Sequence, residues 1–132
     1  MGVSLTYIVK RNNQLSTEEK LSINQIIENY RIKDLDEMDW RGENIDNPEY
    51  DAYKLPVILE GSIEISHYED DYEREIEEVV RWCYCLTDIY RKVVDGNWNV
   101  RLGDEILLFD TEIGFHLKKL PKSLHEDLKP IV

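Results

Sequence analysis

Two short acidic segments hold the side chains best suited to chemistry. Asp34, Asp36 and Asp39 lie in one, and Glu69, Asp70 and Asp71 in the other, all of them hard oxygen ligands suited to calcium or magnesium. An EF-hand loop needs D-x-[DN]-x-[DN]-G and a glutamate at its twelfth position. Asp34-x-Asp36 begins that pattern and Met38 breaks it, so no metal site is expected. Of the three histidines, His67 is the best candidate for proton transfer. It closes an apolar run and can meet Glu69 or an acid at the start of the next helix. No G-x-S-x-G, P-loop, G-x-G-x-x-G or H-E-x-x-H motif accompanies it, and no cofactor is expected.

Cys83 and Cys85 stand two residues apart in "RWCYCLTD". On a helix that spacing points the side chains about 200° apart, too divergent for a relaxed disulfide between them. Cys83 falls on an apolar stripe, where burial raises a thiol pKa and suppresses reactivity. The pair is expected to be reduced, without catalytic or metal role, and its reduced state favours a cytoplasmic setting.

A third chemistry is recognition. Segments 34 to 51 and 64 to 78 each hold eight acids, together 16 of the chain's 28. Trp40, Tyr50, Tyr53, Tyr68 and Tyr72 are interleaved with them. Carboxylates attract a basic partner over a distance, and aromatic rings anchor it at low entropy cost. The expected partner-binding residues are Asp36, Asp39, Trp40, Glu43, Tyr50, Tyr72, Glu73 and Glu77. Sixteen Lys and Arg against 28 Asp and Glu leave a net charge of −12. Such a balance repels phosphate backbones and anionic lipid, which disfavours nucleic-acid and membrane binding. No stretch approaches the length of a membrane span.

The elements that must position these groups follow from periodicity. Residues 3 to 11 alternate as a strand, with Val3, Leu5, Tyr7 and Val9 on one face. Ser16-Thr17-Glu18-Glu19 is a capping box, and the helix behind it carries Ile23, Ile26, Ile27 and Tyr30 as one stripe. Residues 31 to 54 form a long acidic loop with large apolar groups scattered through it, among them Leu35, Met38, Trp40, Ile45, Tyr50 and Tyr53. In 55 to 67, Leu59, Ile63 and Ile65 alternate with Glu60, Ser62 and Glu64, so one face is core and the other water. Gly61 marks an expected bulge or bend. A second helix spans 71 to 94, its entry enriched in acids that the helix dipole favours, with Glu77 and Glu78 too far in to share that benefit. Asp95-Gly96 is an expected glycine stop, and 95 to 117 reads as two or three strands with a turn at Gly103-Asp104. Ser123 to Leu128 can form a helical turn.

The expectation is one α+β domain over residues 1–132. It comprises an antiparallel sheet of four to five strands with two helices on one face. Its expected function is that of a small acidic, non-enzymatic binding protein, an immunity- or antitoxin-type inhibitor docking on a basic protein such as a nuclease toxin. The alternatives are a small hydrolase using carboxylates or His67, with its site under the 31–54 loop, and a regulatory module binding a small ligand between sheet and loop.

Overall fold

The computed structural model describes residues 3–33, 42–67 and 71–130. A four-stranded antiparallel sheet runs in the order β2-β1-β3-β4, built from β1 (Val3–Lys10), β2 (Val57–Ile65), β3 (Asn97–Leu102) and β4 (Glu105–Ile106). Two long helices, α1 (Thr17–Tyr30) and α2 (Tyr72–Lys92), pack on one face of it. The face follows from the register. Leu5 pairs with Ile63 and Leu102, and Val9 with Leu59 and Trp98, which stacks the alternating apolar positions of three strands on one side. Ser4, Thr6, Glu60, Ser62, Glu64 and Arg101 fall on the other side, which stays open.

Departures from the alternation have local causes. Val9 pairs with Leu59 and Lys10 with Val57, so the extra residue of the β2 bulge is Ile58, not Gly61. The bulge lets the successive Ile58 and Leu59 both be buried. Gly61 sits in regular register opposite Tyr7, whose phenol lies across it; any Cβ there would overlap the Tyr7 hydroxyl. The close approach requires the glycine, as a bulge does not. At the end of α2 it is Asp95, at φ 60°, that takes the left-handed conformation expected of Gly96. A side chain at Gly96 would meet Val9 and Trp98.

Helix α1 begins at the capping box read from its sequence. Ser16 Oγ accepts from the Glu19 N–H at 3.1 Å, and Glu19 Oε1 accepts from the Ser16 N–H at 2.9 Å. Arg11 joins both Glu19 carboxylate oxygens at 2.8 Å and donates to the Val94 carbonyl, tying the end of β1 to the start of α1 and the end of α2. The last turn of α1 is held by α2. Arg81 Nε donates to the Tyr30 carbonyl at 2.8 Å, and the Tyr30 hydroxyl donates to Asp88 at 2.6 Å. A guanidinium at a helix C-terminus meets both the orphan carbonyls and the negative end of the dipole.

Helix α2 is more enclosed than a single stripe implies. Ten consecutive residues, Glu78 to Thr87, are buried, so every side of its middle is covered. The second cover is a two-stranded sheet, β5 (Leu108–Asp110) and β6 (Gly114–His116), which leaves the main sheet after β4. Thr87 fastens it. The hydroxyl donates to the Cys83 carbonyl at 2.7 Å and accepts from the Phe115 N–H at 3.0 Å. Helix α3 (Lys122–Asp127) adds His125, fully buried against the Tyr84 ring at 4.7 Å between centroids.

Candidate functional site

Loop residues 42–53 lie along the free edge of β2. A bare edge strand offers unpaired N–H and C=O groups to other chains, and such edges are commonly blunted. Here Glu43 Oε1 accepts from the Glu64 N–H at 2.9 Å, and the Tyr53 hydroxyl donates to the Glu60 carbonyl at 2.9 Å. Asn44 clasps the Ile32 backbone through both its amide atoms, and Ile45 is buried in the core. One consequence is electrostatic. Exposed Glu43 and Glu49 of the loop come beside exposed Glu60 and Glu64 of the strand. Where the loop enters, Gly42 abuts the buried Glu78 of α2, whose Oε1 accepts from the Ser66 N–H at 3.2 Å. The two acidic segments therefore meet at the first turns of α2.

The residues singled out by sequence take different roles. Glu73 and Tyr72 are exposed, Tyr72 by 72%. Glu77 is half-buried and pairs with Arg74 at 3.3 Å. Glu43 spends one oxygen on the β2 edge. Tyr50 is committed to the fold, its hydroxyl donating to Asn24 at 2.9 Å and its ring lying under Lys20. Burial pushes its phenol pKa up to about 12. Asp36, Asp39 and Trp40 lie outside the described residues, as do Asp34, Glu69 and Asp70.

A groove that sequence reasoning missed opens on another flank of α2. Tyr72, Glu75, Ile76 and Val79 follow i, i+3, i+4, i+7 spacing and form its helical wall. Val3 and Ile65, paired across β1 and β2, form the floor, and Leu102, Leu117 and Leu120 the far wall. Its volume is about 510 Å³. The signal was present: Tyr72 is in phase with Ile76 and Val79 but precedes the buried part of the stripe. What sequence could not supply was the far wall, which comes from segments more than 20 residues downstream.

His67 meets an acid of the helix start as its position suggested. Its Nδ1 is 2.6 Å from Glu75 Oε1, at the rim of this groove. Cys83 and Cys85 are both buried, and burial raises both thiols, Cys83 to about 12. Thiolate chemistry at neutral pH is thereby suppressed. Among the described residues no group of three or more His, Cys, Asp or Glu side chains is placed to hold a metal ion. No described helix is long and apolar enough to cross a membrane. Comparison of the chain with protein-family models, curated proteins and solved structures finds no match.

Proposed function

We propose that this is a small acidic, non-enzymatic binding protein that docks on a basic protein, as an immunity- or antitoxin-type inhibitor covers the cationic cleft of a nuclease. The observation that carries the reading is the loop laid along β2. It brings exposed carboxylates from two parts of the sequence onto one edge of the sheet. Their joint field steers a cationic partner and discriminates against acidic ones. The net charge of −12 acts in the same sense. A solubilising surface needs charge but not its gathering at one edge.

The experiment is capture from the native organism with the tagged full chain, followed by mass spectrometry and an activity assay on the captured protein. A basic partner whose nucleic-acid-directed activity falls on stoichiometric addition supports the reading. An acidic partner, or a basic one left fully active, contradicts the inhibitor function. The His67–Glu75 contact favours a second reading, a hydrolase whose acid–base pair lies at the groove rim. Turnover of a generic ester or phosphoester panel, lost in His67→Gln, would replace the first reading with this one.

A further inference from the structure

The α2 stripe overshoots the core. Val79 is buried, Ile76 is half-buried, and Tyr72, one turn further out, is 72% exposed. Val3, on the floor of the same groove, is 50% exposed. A void of about 510 Å³ falls within the range of about 300–1,000 Å³ in which proteins hold ligand groups. Its wetted walls are therefore a cost that an apolar occupant would remove.

The rim specifies the occupant's charge. Among the described residues Glu105 and Glu75, the latter paired with His67, line the groove together with Lys119, and the exposed Glu73 follows Tyr72 directly. Among the described lining residues two are acids and one is a base. A free fatty acid or another anionic amphiphile would bring like charge to this rim.

We propose that the groove receives one apolar side chain from a cationic segment of the basic partner. Tyr72 closes over that side chain, and Glu73 and Glu105 take the flanking Lys or Arg groups. The inference rests on the docking function proposed above and adds to it the anchor point. Long-range charge brings the partner in, and the apolar insertion holds it, the usual division between a charged rim and a buried anchor.

The test uses the full chain and three synthetic peptides: acetyl-Lys-Lys-Leu-Lys-Lys-amide, its Leu→Ala analogue, and its analogue with every Lys replaced by Ser. Amide shifts in two-dimensional NMR report the place and strength of binding. The leucine peptide should shift the amides of Val3, Ile76, Val79 and Leu117. The alanine and serine analogues should each bind about tenfold more weakly, as should the leucine peptide on Tyr72→Ala. Tyr72 is exposed, so its loss leaves the fold intact, and Leu124→Ala on α3 is the control that should change nothing. Equal binding of leucine and alanine peptides, with shifts confined to 42–53, would overturn the groove and leave the acidic edge standing. Equal binding of the serine peptide would make the groove a neutral apolar site and overturn the cationic assignment. No binding of any peptide, or self-association by sedimentation that Tyr72→Ala abolishes, would overturn it as well. With the captured partner, the two proposals separate again. Salt-sensitive binding indifferent to Tyr72→Ala removes only the anchor, and an acidic partner removes the docking function itself.

Discussion

Replacing Thr87 with valine tests whether the second sheet is fastened to α2 as the structure indicates. The substitution keeps the branched shape and removes the hydroxyl. Thr87 is fully buried, and its Oγ1 is the acceptor for the Phe115 N–H at 3.0 Å. Phe115 is buried too, so water does not replace the lost bond. An orphaned buried donor costs about 1–3 kcal/mol. The other bond, from Oγ1 to the Cys83 carbonyl, is a back-bond within the helix whose loss costs little. Thr87→Val should therefore destabilise by about 1–3 kcal/mol in urea titration at unchanged slope. Thr87→Ser keeps the acceptor and gives up a methyl group, which costs about 1 kcal/mol. Hydrogen exchange supplies the local readout: the Phe115 amide should lose protection in the valine variant and keep it in the serine variant. If valine proved milder than serine and left that amide protected, the Thr87 hydroxyl would not be what holds β6 to α2.

Other consequences follow from the same contacts. Gly61→Ala should cost about 1–3 kcal/mol by overpacking against Tyr7, and Tyr7→Leu in the same chain should recover part of that loss, read as coupling in a double-mutant cycle. Arg11 holds the Glu19 carboxyl down to about 2, below its ordinary 4.5. A depressed carboxylate stabilises the fold above its unfolded pKa and loses that contribution as pH falls toward the folded value. The cost of Arg11→Met should therefore be about 1–3 kcal/mol at pH 7, shrink between pH 4.5 and 2, and fall in a Glu19→Gln background to what the bonds of Arg11 to backbone carbonyls contribute. Cys83 and Cys85 should resist a thiol reagent at pH 8 in the folded protein and react fully in urea, whereas rapid labelling of native protein would place them nearer the surface than the structure does.

The main sheet and both helices were legible because their signals are local. The Ser16–Glu19 box and the alternation around Ile63 each involve residues a few positions apart. Gly61 was misread for a physical reason: a glycine in a strand serves either a bulge or a close approach, and only the register tells which. The same ambiguity moved the left-handed residue from Gly96 to Asp95. The enclosure of α2 was hidden because Arg81, Thr87 and Glu78 are polar types that read as solvent-facing until their partners are known. Thr87 finds Phe115 and Arg81 finds the Tyr30 carbonyl, both more than 20 residues away. At the candidate site, Tyr72 was legible as an aromatic among acids. The Tyr50 hydroxyl meets Asn24, and that contact is invisible in a pattern of residue types.

The acidic edge is tested most directly by the association rate of the captured partner as a function of salt. Stopped-flow mixing would compare the wild-type chain with a Glu60→Lys, Glu64→Lys variant, both changes being at exposed side chains. Charges are screened over about 10 Å at 0.1 M ionic strength, so steering by this edge must weaken steeply across that range. The wild-type on-rate should fall sharply with salt, exceed that of the double reversal at low salt and converge with it at high salt, while dissociation changes little. An on-rate indifferent to both salt and charge reversal would contradict steering by this edge.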